Sequence, residues 1–437
     1  MTATTSGGHQ VTVASGGDKS LTSHLMERIC ERANLNRAYK RVKANKGAAG
    51  VDGMNVDELS DWIAKHKASL IESLLNGAYR PQSVLGVEIP KPGKKETRLL
   101  GIPTVVDRLV QQAIHQVLEP IFDPGFSASS FGFRPGRNAH QALKQAQGYV
   151  REGNEVVVDI DLENFFNRVN HDILMSRLAR KIDDKRLLRI IRRFLEAGMM
   201  RQGVHIDRRE GVPQGGPLSP LMSNILLDEL DKELERRGHK FCRYADDANT
   251  YVQSMRAGER VYQSIKRFLE TRLKLKVNEN KSGWASVDER QFLGYQLRKD
   301  GKLVVAERSL DRVKDKIRSL TKRNRGASLE RVISDLNRTL RGWGNYFRLT
   351  EWPSQTSALD GWIRRKLRCY RLKQRKRSWP IAKFLIMLGV PAERAWPLAK
   401  SEKGWWCLSK TPAVHEAMSN AWFDEQGLIN LRRSMAC

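Results

Sequence analysis

Four aspartates stand where a folded chain seldom leaves carboxylates without a use. Asp159 and Asp161 close the run Val156-Val157-Val158-Asp159-Ile160-Asp161, and Asp246 and Asp247 sit together in Tyr244-Ala245-Asp246-Asp247. Ending an apolar strand in carboxylates is costly unless something binds them. Period two puts Asp159 and Asp161 on one face of that strand. Hard divalent cations take oxygen ligands, and two such ions about 3.5–4 Å apart drive phosphoryl transfer. Without a cation, Asp at a strand end and Asp-Asp at a tip are ordinary cap and turn residues.

That chemistry requires rigid elements that bring the two segments together. The β-branched run 156–161 reads as a strand. Phe241 to Tyr244 and Ala248 to Val252 flank the polar pair, which reads as a hairpin. Between them lies Gly211-Val212-Pro213-Gln214-Gly215-Gly216-Pro217-Leu218-Ser219-Pro220, a shaped loop whose backbone can approach a flat ligand. Ser219 then Pro220 reads as an N-cap with proline at the first helical position. The helix continues through Ile225, Leu226, Leu230 and Leu234 to Gly238. Upstream, residues 21 to 80 read as helices joined by the turn Lys46-Gly47-Ala48-Ala49-Gly50. From residue 308 the period is helical: Leu310, Val313, Ile317 and Leu320 form one stripe, and Leu329, Val332, Ile333, Leu336 and Leu340 a second. A third helix is expected over 358–373. The order is a helical start, an α+β centre and a basic helical end.

Charge names the partner class. Lys and Arg number 77 against 49 Asp and Glu, a formal net charge of +28. Such a chain calls for a polyanion, with nucleic acid the default. From Arg308 to Arg377 there are 21 Lys or Arg against 6 Asp or Glu, densest at Arg364-Arg365-Lys366 and Arg375-Lys376-Arg377. Three tryptophans and two tyrosines share that stretch, which favours a folded nucleic-acid surface over a tail. Five cysteines, none in a C-x-x-C pair, suggest neither a zinc site nor a disulfide framework. No signal peptide and no apolar run of membrane-spanning length is found, so a cytoplasmic protein without membrane association is expected.

Taken together, these segments resemble the reverse transcriptases. Asp161 to Phe166, Gln214 to Pro220 and Tyr244 to Asp247 look like motifs A, B and C, in order. Arg98-Leu-Leu-Gly-Ile-Pro-Thr, Phe131-Gly-Phe-Arg-Pro-Gly-Arg137 and Phe292-Leu-Gly-Tyr295 match further family segments. Gly342-Trp-Gly-Asn-Tyr-Phe347 resembles the thumb, or maturase domain, of group II intron proteins. The resemblance covers roughly residues 21 to 437, and six collinear motifs are highly specific.

The resemblance implies an α+β right-hand polymerase with fingers, palm and an α-helical thumb. It divides the chain into a disordered tail (1–20), a helical N-terminal extension (21–80), fingers and palm (81–300), thumb or maturase domain (301–377) and a C-terminal nucleic-acid-binding segment (378–437). Asp161, Asp246 and Asp247 match the metal-binding carboxylates, for two Mg²⁺ ions with Mn²⁺ as a substitute, and the Leu162 carbonyl an additional ligand. Asp161 is preferred to Asp159 because the family places an aromatic residue five positions on, and Phe166 fits. Phe166 matches the residue against the nucleotide sugar, Lys91 and Arg98 the pair gripping the triphosphate, and Gln214 the residue beside the nascent base pair. Lys281 matches a general acid for pyrophosphate release. Asn167 departs from the Asp of many relatives, at a position that is not a metal ligand. The implied activity is RNA-directed DNA synthesis, with intron RNA, a primed RNA template, target DNA and deoxynucleoside triphosphates as partners. The resemblance also implies help with splicing and retromobility. Many such proteins carry an H-N-H endonuclease with Cys pairs, and no such cluster is present before Cys437, so an endonuclease-lacking member is expected. The alternatives are a reverse transcriptase of a retron, diversity-generating or defence system, or a splicing-only RNA-binding maturase.

The basic run supplies sequence-independent backbone affinity through counterion release. Neutralising Arg364, Arg365 and Lys366 together is expected to weaken RNA binding and to flatten the slope of log affinity against log salt. An unchanged slope would show that the run is only a solvated face.

Overall fold

The computed structural model describes residues 22–90 and 97–435, so the expected tail and Lys91 lie outside the described residues. The chain folds as two compact units. The first comprises residues up to Ala142, Val158–Thr250 and Glu259–Gly283; the second comprises Leu143–Val157, Tyr251–Gly258 and Trp284 onward. The architecture mixes α and β elements and ends in a helical C-terminal region.

The first unit opens with helices α1 (Leu25–Cys30), α2 (Arg32–Ala44) and α3 (Leu59–Leu75). Strands β1 (Val84–Pro90) and β2 (Thr97–Ile102) pair antiparallel, Leu85 opposite Ile102 through Pro90 opposite Thr97. Helix α4 (Val105–Phe122) follows and buries Val105, Leu109, Val110, Ala113, Ile114, Val117 and Leu118 at helical spacing. The Asn34 amide of α2 donates to the Ala113 carbonyl (3.0 Å) and moors the N-terminal helices to it. Helix α5 (Ala139–Arg151) leads to β3 (Val156–Ile160), where Val157, Val158 and Ile160 are all buried. Burial on both faces explains the unbroken β-branched run. After α6 (His171–Leu178) and α7 (Lys185–Glu196) come β4 (Met199–Arg201) and β5 (Val204–Ile206), giving a sheet of order β2-β1-β4-β5. Helix α8 (Ser219–Arg236) precedes the hairpin β6 (Lys240–Tyr244) and β7 (Asp247–Val252). Then follow α9 (Met255–Phe268) and β8 (Gly283–Ser286), and the second sheet has the order β6-β7-β3-β8.

The α8 start differs from expectation. Leu218 occupies the cap position and Ser219 is the first helical residue. The Ser219 hydroxyl donates to the Pro213 carbonyl (2.6 Å), so it closes the preceding loop and does not cap the helix.

In the second unit a small sheet, β11 (Leu303–Val305), β10 (Tyr295–Leu297) and β9 (Gln291–Phe292), precedes four longer helices. These are α10 (Glu307–Leu320), α11 (Leu329–Phe347), α12 (Pro353–Arg375) and α13 (Ser378–Met387). Val313 and Ile317 of the first expected stripe are buried and Leu320 packs partly buried against the core; the second stripe is buried throughout. Helix α12 begins five residues before the expected helix because Pro353 can start the helix at N1. Tyr295 and Tyr346 interlock: the Tyr295 hydroxyl donates to the Tyr346 carbonyl (2.5 Å) and that of Tyr346 to the Leu293 carbonyl (2.8 Å). The Phe-Leu-Gly-Tyr and Gly-Trp-Gly-Asn-Tyr-Phe segments are thus one packed feature. No helix among the described residues is long and apolar enough to cross a membrane. Cys30, Cys242, Cys369 and Cys407 are free thiols.

One buried acid secures the entry to β1. Thr104 and Asp107 cap α4 reciprocally: the Asp107 N–H donates to Thr104 Oγ1 (3.1 Å) and that hydroxyl donates to Asp107 Oδ2 (2.8 Å). The same carboxyl accepts from the Tyr79 hydroxyl (2.7 Å) and the Gln82 N–H (3.1 Å). Burial nevertheless pushes Asp107 up to about 6 from its ordinary 3.8. The protonated form therefore favours the fold below about pH 4, and that contribution is lost as pH rises through about 6. Asp107→Asn, which cannot ionise, is expected to gain stability relative to the native chain between pH 4 and 7, by on the order of 3 kcal/mol at most. Paired denaturant titrations across that range measure the difference; a flat difference would mean that Asp107 is ionised throughout.

Candidate active site

The Asp246-Asp247 turn hangs on a buried arginine. Arg243 of β6 has no solvent access. Its Nε and Nη2 donate to Asp231 Oδ1 and Oδ2 (2.7 and 2.6 Å), its Nη1 to Asn224 Oδ1 (3.0 Å) and the Ala245 carbonyl (2.8 Å), and its Nη2 also to Ser130 Oγ (2.8 Å). Asn224 and Asp231 both belong to α8, so that helix holds the turn from beneath. Ala245 adopts φ +60, a left-handed conformation that costs a residue with a Cβ. The Arg243 bond to its carbonyl is one restraint that maintains it. Sequence reading missed Arg243, although an arginine inside the apolar stretch Phe241-Cys242-Arg243-Tyr244 signals a buried partner.

Asp161 is held by a different segment. Its N–H donates to Ser282 Oγ (2.8 Å), and its carbonyl accepts from that hydroxyl (3.1 Å) and from the Asn278 N–H (2.9 Å). Leu162 bridges Val277, and the Glu163 N–H donates to the Lys276 carbonyl (2.8 Å). Lys281 Nζ lies 3.3 Å from Asp161 Oδ1. The structure thus places Lys281 as the ion-pair partner of Asp161. Ser282, its neighbour in Asn280-Lys281-Ser282, is a clamp that sequence reading passed over.

The carboxylates repel one another. Burial pushes Asp247 up to about 8, with Asp159, Asp246 and Asp161 adding to the effect. Asp246 is also raised, by burial first and then by Asp161, while Arg243 and Lys281 oppose the rise. Asp159, set aside in favour of Asp161, is a near neighbour of Asp247. With its amide turned over, Asn249 donates to Asp159 Oδ1 (3.1 Å). Crowded carboxylates on β3 and β7 offer the oxygen donors that a divalent cation needs. Among the described residues no three acidic, imidazole or thiol groups already form a metal-binding cluster.

Beside the hairpin lies a cleft of about 880 Å³ lined by Arg98, Phe166, Gln214 and Tyr244, with Arg41 and Arg137 among the other basic residues. Phe166 meets the buried Phe165 edge-on, centroids 5.1 Å apart, and its carbonyl accepts from the Val212 N–H (2.6 Å). The Gln214 carbonyl accepts from the Gly101 N–H (2.8 Å), which ties the loop to β2. Gly215 has φ +129, and a Cβ there would lie 2.7 Å from the Gly101 carbonyl oxygen, so only glycine fits. Three separated segments, at Arg98, Phe166 and Gln214, thus share one cleft.

In the second unit, Arg364, Arg365, Lys366 and Arg375 lie on α12, with Lys376 and Arg377 just beyond it. They are not uniformly free charges. The Arg365 guanidinium lies 3.7 Å from the Trp406 ring centroid and Lys366 5.1 Å from it. Lys366 and Lys373 line a cleft of about 600 Å³ with Arg318, Lys322, Arg323 and Trp405.

A hairpin bearing paired aspartates, a third aspartate just after the neighbouring strand and a basic cleft beside the hairpin lie together in the first unit. A family profile described as "Reverse transcriptase (RNA-dependent DNA polymerase)" matches residues 89–297, and one described as "Group II intron, maturase-specific domain" matches residues 310–385. The chain is 33% identical to Protein YkfC of Escherichia coli (strain K12) over 314 residues, 62% of this chain and 82% of that protein. It is 38% identical to the group II intron-encoded protein LtrA of Lactococcus lactis subsp. cremoris over 216 residues, 49% of this chain and 35% of that longer protein. It is 32% identical over 205 residues to an uncharacterized 91 kDa protein in cob intron of Schizosaccharomyces pombe, 47% of this chain and 25% of that one. The chain belongs to the group II intron reverse transcriptase/maturase family. Membership makes it an RNA-directed DNA polymerase, metal-dependent as such polymerases are, with a maturase domain.

The Arg243–Asp231 pair gives the first test of this geometry. Removing one partner leaves an uncompensated buried charge, so Asp231→Asn is expected to cost about 3–5 kcal/mol of stability. Replacing both, Arg243→Met with Asp231→Leu, should recover most of that stability yet leave primer extension impaired, because Ala245 loses its donor. Denaturant unfolding and primer extension on the same preparations decide the matter. A double variant that destabilises by the sum of the singles would show that the two residues are not a coupled pair.

Proposed function

We propose that Asp161, Asp246 and Asp247 hold two Mg²⁺ ions, with Mn²⁺ able to substitute, and that the Leu162 carbonyl adds a ligand. The observation that carries this is the convergence of half-buried carboxylates at β3 and β7, where burial first, and then Asp159, Asp246 and Asp161, push Asp247 up to about 8. Bound there, the cations would supply charge stabilisation to the α-phosphate and lower the cost of deprotonating the primer 3′-hydroxyl. The 3′ oxygen attacks the α-phosphorus, that bond forms, the bond to pyrophosphate breaks, and the hydroxyl proton passes to solvent water. Arg98, with Lys91 outside the described residues, grips the triphosphate as a charged clamp. Phe166, in the cleft, packs against the sugar and excludes a 2′-hydroxyl, and Gln214 lies beside the nascent pair. Lys281, ion-paired to Asp161, is the group we assign to protonate the departing pyrophosphate.

Residues 81–300 then act as fingers and palm, with the helices before them as an extension. The helices of 301–377 act as thumb or maturase domain, and 378–437 as a nucleic-acid-binding segment. Arg364, Arg365, Lys366, Arg375, Lys376 and Arg377 engage RNA backbone. Arg365 and Lys366, stacked against Trp406, present a surface of mixed charge and aromatic character that suits it. The RNA is the group II intron, which the protein helps to splice and copies from a primer at a DNA target, using deoxynucleoside triphosphates. The work is done in the cytoplasm or on the nucleoid.

Polymerisation and intron binding are expected to separate. Asp246→Asn with Asp247→Asn keeps shape and removes two charges, so the polymerisation rate should fall by at least ~10³-fold. The fold should hold, with thermal unfolding unchanged or raised, since mutual repulsion is relieved. The double variant should make no cDNA yet still promote splicing of its intron at low magnesium. Loss of splicing in the folded variant would show that the two functions are inseparable. Persistent polymerisation would overturn the carboxylate assignment.

A further inference from the structure

Phe133 carries two costs that no ring stacking or cation contact among the described residues repays. It is 50% exposed, and its φ of +58 lies in the left-handed region, where a bulky side chain is an outlier. The chain on both sides is fixed. The Phe131 N–H donates to the Arg243 carbonyl (2.9 Å), and the Asn224 amide donates to the Gly132 carbonyl (2.9 Å). A Cβ on Gly132 would lie 2.2 Å from the Ala245 nitrogen, so this backbone runs directly against the Asp246-Asp247 turn. On the other side the Arg134 guanidinium is held by Asp123 Oδ1 (2.7 Å) and the Ser127 carbonyl (2.6 Å). Phe133 cannot relax, and its ring lines the same cleft as Arg98, Phe166 and Gln214. A strained residue over-determined by its surroundings points to use.

We propose that the Phe133 ring is a stacking platform for a nucleobase in this cleft, held in register with the catalytic turn through Gly132. A flat apolar face in a cleft that also presents Arg41, Arg98, Arg108 and Arg137 suits a base attached to phosphates. The base comes from one of two sources, the template strand or the incoming nucleotide. The inference rests on the reading of this cleft as the insertion site.

The test uses the full chain with a defined RNA template and DNA primer, in single-nucleotide insertion. Phe133→Ala is expected to lower kcat/KM by about 10- to 100-fold, the value of one base stack on an aromatic ring. Phe133→Tyr should restore it and Phe133→Leu should not. Phe133→Gly, which accepts φ +58 freely, should insert as poorly as Phe133→Ala while unfolding at the native temperature or above it. Moving a single abasic site along the template identifies the source. If the template supplies the base, one abasic position slows the native chain and leaves Phe133→Ala unaffected. If the incoming nucleotide supplies it, no position behaves so, and the loss is a raised KM for the nucleotide. Insertion by Phe133→Ala within twofold of native, or full activity in Phe133→Leu, overturns the proposal. So does a loss that Phe133→Tyr does not recover. The Asp246→Asn, Asp247→Asn variant run alongside keeps the two readings apart. If it still inserts, the site assignment fails; if it is inactive while Phe133→Ala is native-like, only the stacking fails.

Discussion

Arg243 and Asp231 face each other entirely out of water, and the Asp246-Asp247 turn depends on that pair. Two charges removed from solvent are tolerated only when nearly every donor and acceptor is met. Here the guanidinium makes five hydrogen bonds, to Asp231 twice, Asn224, Ala245 and Ser130. The arrangement sets the spacing of α8 from β6, supports the left-handed Ala245, and brings residues 130–132 against the turn. A hydrophobic pair could fill the same volume, but it could not aim a donor at the Ala245 carbonyl.

Much of the remaining positioning is done by backbone. Asp161 is clamped at its own N–H and carbonyl by Ser282 and Asn278, while its carboxylate pairs with Lys281. The loop before α8 is tied to β2 through Gly101 and Gln214, and to the turn after β3 through Phe166 and Val212. Gly215 and Gly132 sit where backbone meets backbone, and a Cβ would push the segments apart. The carboxylates themselves destabilise. Their mutual repulsion is a local conflict of the kind found at functional sites, sustained by the packed elements beneath.

The second unit follows a simpler rule. Apolar stripes at helical period build one core from α10 to the C-terminal helices, and basic side chains are displaced to its surface. There several of them rest on indole rings, with Arg365 on Trp406 and Arg318 and Lys366 on Trp362. A guanidinium laid on an aromatic face stays charged while losing mobility. Concentrated positive charge is therefore paired with a defined surface.

The order of elements, the strand ending in Asp161, the hairpin bearing Asp246 and Asp247, and the helical stripes were legible in the amino-acid sequence. Each is a local pattern of period, β-branching or turn chemistry, and six collinear motifs sufficed to place the family. Other features were settled by tertiary packing. Lys281 pairs with Asp161 across 120 residues, Asp159 presses on Asp247 from a neighbouring strand, and Ser219 reaches back to Pro213 and does not cap α8. Arg243 reads as one more cation among 77 Lys and Arg until burial singles it out. Phe133 is one residue of the Phe131–Arg137 segment until its exposure and backbone angle are seen. Period and propensity act over a few residues. The burial, pairing and strain of a side chain depend on whatever distant segment the fold lays against it.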